Sequence, residues 1–252
     1  MNRLSRRDAL GVAAAGGATL VTGCHAAAPT APPLVPAHGE VPMPSPRALS
    51  ATNTVQPLPF KPGSLNGLSE RLIVSHHEKN YGGAVKNLNR VEQELSKINA
   101  DTPPFVTAAL RERELTFRNS KTLHEAYFAN LGGDGRRSGA IEAAIAEAYG
   151  STAAWETQFR STAMGLGGGS GWVILALELD TGGLRTYGSG NHTQTLAPSA
   201  PLLVLDMYEH SYAIDFGAEH ARYIDAFFAN AKWDEVNRRL ERGRAAAQTL
   251  HG

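Results

Sequence analysis

The sequence is nearly free of cysteine, with Cys24 alone among 252 residues. A single thiol excludes an intramolecular disulfide and any cysteine-based zinc module. An excess of charge of one sign is also missing, since 24 Lys and Arg balance 24 Asp and Glu. The chain therefore lacks the concentrated basic composition of a nucleic-acid binder, and no nucleic-acid partner is expected. The apolar stretch near the start, Ala9 to Val21, is rich in glycine and short of the ~20 residues that a stable membrane-spanning helix needs. What remains is ample chain for one large domain or two small ones with a sizeable core.

The first segment carries its own signals. Arg6-Arg7 stands before the weakly apolar stretch, as in a bacterial twin-arginine export signal, and Val21-Thr22-Gly23-Cys24 resembles a lipobox. Residues 1–24 are thus expected to be an export signal whose Cys24 becomes the lipidated first residue. The only membrane contact would be that lipid, and the location would be periplasmic or elsewhere in the cell envelope. From residue 25 to 57 the chain is rich in Ala and Pro, with Pro29, Pro32, Pro33, Pro36, Pro42, Pro44 and Pro46. Proline fixes φ and removes donors, so this segment reads as an extended tether. His25 and His38 lie in it without fixed geometry and have no ligand role.

Residues 58–132 read as an antiparallel helical hairpin. Leu72, Ile73, Val85, Leu88, Val91, Leu95 and Ile98 recur at helical spacing between Ser69 and Ile98. Gly82-Gly83 predicts a kink or a close backbone approach within that helix. Pro103-Pro104 ends the connection, the return helix runs from about Phe105 to Asn130, and Leu131-Gly132-Gly133-Asp134-Gly135 marks a boundary. Residues 133–240 read as an α/β domain with helices near Ser138–Tyr149 and Ser151–Gly165, the second capped by Ser151. Strands Trp172–Leu179 and Leu184–Tyr187 form a hairpin through Asp180-Thr181-Gly182-Gly183, and Leu202–Leu205 is a third strand. Helices from about Ser211 and Ala218 close the domain, and residues 241–252 read as a tail. The fold class is α+β, an α-hairpin followed by a domain with a three-stranded antiparallel sheet.

The third strand delivers Asp206 at its end, and His210 follows four residues later, within one helical turn. His76 and His124 each sit in a helical pattern of the hairpin. Three neutral imidazoles and one carboxylate suit Mn, Fe or Zn by ligand type. His77 points to another face of its helix, His220 and His251 have no clustered partners, and Gly165-x-Gly167-x-x-Ser170 follows a helix, which marks it as turn chemistry and not a dinucleotide loop.

Asp206-x-x-Glu209-His210-x-Tyr212, preceded by Gly169-Ser170-Gly171-Trp172 and followed by Tyr223-Ile224-x-x-Phe227 and Trp233-Asp234-Glu235, resembles the C-terminal domain of the iron/manganese superoxide dismutases. His76-His77-x-Lys79 with Asn87-Leu88-Asn89 resembles that family's first metal-binding helix. The resemblance implies His76, His124, Asp206 and His210 as ligands of one Fe or Mn ion per chain, with superoxide as substrate and dioxygen and hydrogen peroxide as products. Such a shell leaves the ion net positive, which attracts an anion in both half-reactions. It further implies a homodimer, with Glu209 reaching the other subunit's last histidine ligand. His192 takes the place of the glutamine that tunes the solvent ligand, and Trp172 completes the catalytic surroundings.

The sequence also departs from the family's pattern. Asn80 and Ala84 stand where a histidine and a tyrosine usually line the substrate channel, Ser120 where some members carry glutamine, and Ala213 where a tyrosine meets the partner's histidine. Phe128 and Tyr208 occupy positions usual for tryptophan. On α-helical geometry Tyr81 lies about 140° round from His76 and does not replace the missing phenol. These departures imply a more open channel, and they support an alternative reading as a catalytically weak, dismutase-like metal- or partner-binding protein tethered at the membrane.

Overall fold

The computed structural model describes residues 47–251. The export signal, Cys24 and the tether as far as residue 46 lie outside the described residues. The N-terminal helix opens on Ser69, whose hydroxyl accepts the Leu72 main-chain N–H at 3.1 Å, as an N-cap should. It runs as α1 (Glu70–Ser75), a π-helix (His76–Tyr81) and α2 (Gly82–Leu95). The irregularity expected as a kink or close approach at Gly82-Gly83 is a π-turn that ends just before them. Pro104 occupies the first turn of α3 (Pro104–Ala129), where its missing N–H costs nothing. α2 and α3 pack together as the expected hairpin, burying Val85, Leu88, Leu95 and Leu123.

The second part holds α4 (Ala140–Tyr149), α5 (Thr152–Leu166), β1 (Trp172–Glu178), β2 (Leu184–Ser189), β3 (Ser199–Asp206), α6 (Ala213–Phe216), α7 (His220–Ala229) and α8 (Trp233–His251). Ser151 caps α5 by accepting the Ala154 N–H at 3.0 Å. The sheet is antiparallel in the order β2-β1-β3. Residues 172–177 of β1 are all buried, so this central strand reads as an unbroken apolar run rather than an alternating one. Helices α3, α5 and α8 pack against the sheet. Register sets Trp172 opposite Asp206 on one side and Ser189 on the other, which brings two site residues to the same sheet end. Gly171 makes this possible: its φ is +150°, and a Cβ there would meet the Ser189 carbonyl oxygen at 2.3 Å.

Asn130 and Arg239 join the hairpin to the sheet. Asn130 Oδ1 accepts the Val204 N–H at 3.0 Å and Arg239 Nη1 at 3.1 Å, while its Nδ2 donates to the Leu202 carbonyl. Arg239 Nη2 donates to the Ala126 carbonyl and Nε to Glu235. Burial pulls the Arg239 guanidinium down to about 10, still charged at neutral pH.

Two sequence expectations change. Residues 241–251 continue α8 instead of forming a separate tail, because Ala245, Ala246 and Ala247 favour helix and Gly243 lets the helix come close to β1. A Cβ on Gly243 would meet Leu177 Cδ2 at 2.9 Å. The last residues expected in the tether are fastened to the hairpin. The Ala51 N–H donates to the buried Glu92 carboxylate at 2.7 Å, that of Asn53 to Asn89 Oδ1 at 3.0 Å, and that of Gln56 to Tyr81 Oη at 2.8 Å. Residues 51–57 form an extended strap, and the segment lacks regular structure because its partners are side chains.

Candidate metal centre

His76 comes from the π-helix, His124 from α3, Asp206 from the end of β3, and His210 from the 3-10 turn Glu209–Ser211 that follows. One ligand atom from each lies within 4.8 Å of all the others. His124 Nε2, His210 Nε2 and Asp206 Oδ2 form a triangle with edges of 3.4, 3.3 and 3.5 Å. The centre of such a triangle is about 2 Å from each corner, the usual distance from a metal ion to imidazole nitrogen or carboxylate oxygen. His76 Nε2 stands 3.1 Å from Asp206 Oδ2.

The protonation states call for a cation there. The Ser120 carbonyl, 2.7 Å from His124 Nδ1, can only accept, so Nδ1 carries the proton. Burial, with His76 second, pushes His124 down to about 3, so the ring is neutral and Nε2 presents a lone pair. That lone pair faces the oxygen of a carboxylate. Burial works against the Asp206 charge, but His210 first and then His76, both within hydrogen-bond reach of its Oδ2, hold it well below the usual carboxylate range. A lone pair and a carboxylate oxygen 3.5 Å apart in a buried site repel unless a cation sits between them. The donor set therefore fits a metal ion.

The carboxylate is gripped from behind. Its Oδ1 accepts the Tyr208 N–H at 2.8 Å, and its main-chain carbonyl accepts from Tyr223 Oη at 2.7 Å and Ser211 Oγ at 2.9 Å. The indole N–H of Trp172 donates to His192 Nδ1 at 3.0 Å, and the Trp172 ring meets His124 edge-on at 5.1 Å. Tyr208 stacks between His192 at 4.7 Å and His210 at 5.4 Å. Phe128 lies 4.9 Å from the His76 ring. His77 turns away and pairs with the Gln56 carbonyl, as the sequence implied.

A cavity of about 240 Å³ opens onto His124, His192 and His210, with Lys79, Asn80, Ala84 and Ser120 in its wall. The positions where channel residues were missing do line the way in. Tyr81 does not. The i→i+5 turn brings it nearer the His76 face than α-helical counting gives, but its phenol donates to Glu125 Oε1 on α3. Sequence reasoning missed Asn119, which fixes the His192 loop by donating to the His192 carbonyl at 2.7 Å. No spacing rule links a helix residue to a loop 73 positions away.

Residues 137–239 match the family model for iron/manganese superoxide dismutases, C-terminal domain. An iron superoxide dismutase of Cupriavidus metallidurans is 45% identical over 187 residues, covering 74% of this chain and 95% of that protein. An iron superoxide dismutase of Aquifex pyrophilus is 35% identical over 200 residues, covering 76% and 92%. A manganese superoxide dismutase of Haloferax volcanii is 33% identical over 193 residues, covering 74% and 94%. Similarity of this extent and the convergence of three histidines and an aspartate carry one conclusion: the chain belongs to the iron/manganese superoxide dismutase family.

Proposed function

We propose that the protein disproportionates superoxide to dioxygen and hydrogen peroxide at one Fe or Mn ion held by His76, His124, Asp206 and His210. The observation that carries this reading is the His124 lone pair facing the Asp206 carboxylate across a buried triangle of metal-binding size. Bound there, iron or manganese supplies a one-electron couple that can be reduced by one superoxide and reoxidised by the next. Three neutral imidazoles and one carboxylate leave the site net positive for an anion in both encounters.

Two superoxide ions and two protons give one dioxygen and one peroxide, so the chain must hold protons near the reacting oxygen. His192 is placed to do so. Indole nitrogen only donates, so His192 Nδ1 accepts, and the neutral ring carries its proton on Nε2. Burial pulls His192 below its ordinary value, keeping that neutral donor at the cavity wall around pH 7. Trp172 fixes the tautomer, and Trp172, Tyr208 and Phe128 exclude bulk water from the ligands.

The same proposal covers location and assembly. The twin arginine and the lipobox-like stretch support export and a lipid on Cys24, with the Ala- and Pro-rich sequence that follows as the tether. Glu209 is exposed beside His210, and in a homodimer it would reach the partner subunit's last histidine ligand. A second reading, a metal-holding protein with weak turnover, draws on Asn80 and Ala84 in the cavity wall. Superoxide decay followed by stopped flow, on protein loaded separately with Fe and with Mn, tests both. Decay that scales with one metal and vanishes in His124→Ala supports the dismutase; no acceleration by fully loaded protein leaves metal holding as the function.

A further inference from the structure

The hydrogen bonds around Tyr81 reach both helices that carry ligands. Its phenol donates to Glu125 Oε1 at 2.7 Å and accepts from the Gln56 main-chain N–H at 2.8 Å. The Gln56 carbonyl accepts from His77 Nε2 at 2.8 Å. Lys121 stands 3.0 Å from Glu125 Oε1 and steadies that carboxylate. His77 follows His76 in the chain, and Glu125 follows His124. One phenol and one strap residue thus hold the neighbours of both helical ligands. The π-turn contributes, since i→i+5 bonding brings Tyr81 round toward the side from which His76 projects, and the Tyr81 ring lies 6.2 Å from that of His124.

A second observation shows why this matters. A metal-binding histidine normally donates its other N–H to a partner that fixes the ring. His124 does so through the Ser120 carbonyl. His76 does not: among the described residues its buried Nδ1 has no hydrogen-bond partner. Its placement falls to the helix that carries it and to the rings packed on it, Phe128 at 4.9 Å and Tyr127 at 5.1 Å.

We propose that Tyr81 is a positioning residue for the metal centre. Held by the Gln56 main chain, its phenol fixes the offset between the π-helix and α3, and so sets His76 against His124 where no bond at His76 Nδ1 does. The strap is then part of the metal site's support although it touches no ligand. This inference rests on the four-ligand reading of the site.

The test uses the full chain loaded with ferric iron and the variants Tyr81→Phe, Glu125→Ala and Glu125→Gln. Three quantities are measured: the ferric electron paramagnetic resonance spectrum, the rate of iron release to a chelator, and the melting temperature of the metal-free protein. Tyr81→Phe and Glu125→Ala should alter the ferric line shape and release iron up to about 10-fold faster, the lower end of what a bond made directly to a ligand is worth. Glu125→Gln keeps an acceptor oxygen and should retain the wild-type spectrum and rate. Variants that lower the metal-free melting temperature but keep the wild-type spectrum and release rate would reduce Tyr81 to a structural residue and overturn the inference. Wild-type protein that takes up no iron would overturn the four-ligand reading and this inference with it.

Discussion

The two walls of the metal centre are built differently. On the sheet side the carboxylate ligand is held at both ends: Asp206 is fixed at Oδ1 by Tyr208 and at its carbonyl by Tyr223 and Ser211, and Trp172 locks His192. On the hairpin side Lys79, Asn80, Gly83, Ala84, Asn87 and Ser120 stand in the cavity wall; among the described residues Ser120 is the one of these that bonds a ligand, His124, and His76 has no partner at Nδ1. The contrast separates two demands. Holding an ion requires a fixed carboxylate at a rigid strand end, whereas admitting a small anion requires only a passage.

The largest effect should come from breaking the rigid wall at its centre. Asp206→Asn removes the site's one negative charge while keeping its shape, so the three imidazoles lose the group that balances a bound cation. Metal content by elemental analysis should fall from about one ion per chain to below about a tenth, given the 10- to 100-fold that even supporting residues are worth. Near-stoichiometric metal in this variant would show that the carboxylate does not anchor the ion.

Next in size is the pH response of the metal-free protein. His124 has a folded value of about 3, below the ordinary 6.5, so the unfolded chain takes up the proton first. The corresponding stability is present above about 6.5 and is lost as pH falls toward the folded value. His76 and His192, also lowered by burial, act with the same sign. Between about pH 6.5 and 5, where histidines titrate and most carboxylates do not, the metal-free melting temperature should fall. Added metal should flatten that slope, because a bound nitrogen cannot take the proton. A metal-free curve flat over this range would mean that the ligand histidines are not buried as neutral rings.

The difference between the walls also explains what the sequence could reveal. Asp206 and His210 were legible because a strand end followed by a turn fixes their spacing locally, and Trp172 through the resemblance carried by Gly169-Ser170-Gly171-Trp172. The hairpin wall depends on relations that no local pattern carries. The π-turn at His76–Tyr81 brings Tyr81 nearer the His76 face than α-helical counting gives, although its phenol, bonded to Glu125, still does not replace the missing one. The strap reads as tether because proline and polar residues have no periodicity, yet Glu92 and Tyr81, more than 20 positions along, pin it. Residues 241–252 read as a tail, and the use of Gly243 shows only once β1 is seen against it.

Trp172→Phe probes the rigid wall more gently. The ring packing on His124 survives in part, but His192 Nδ1 loses its donor and the ring is free to take the other tautomer. Metal should stay bound while the dismutation rate falls about tenfold, the lower end of the range for a lost supporting bond. A rate unchanged at equal metal content would remove His192 from proton handling.

The smallest effect should come from the open wall. Ala84→Tyr projects a phenol from α2 into a cavity of about 240 Å³, enough room for a ring without displacing His124 or His192. The passage narrows, but the ligands and their supports stay as they are. Azide is a convenient probe, being a small anion that reports its binding by absorbance on an iron-loaded site. Its affinity should drop about threefold, less than 1 kcal/mol and below the 1–3 kcal/mol that a tightly packed site would charge for the added volume. The melting temperature separates the cases. Weaker azide binding with unchanged melting means that Ala84 sets the width of the passage. Unchanged azide binding with a melting temperature lowered by several degrees means that the new ring has been forced into the core between α2 and α3, and that the passage lies along Asn80 and Lys79 instead.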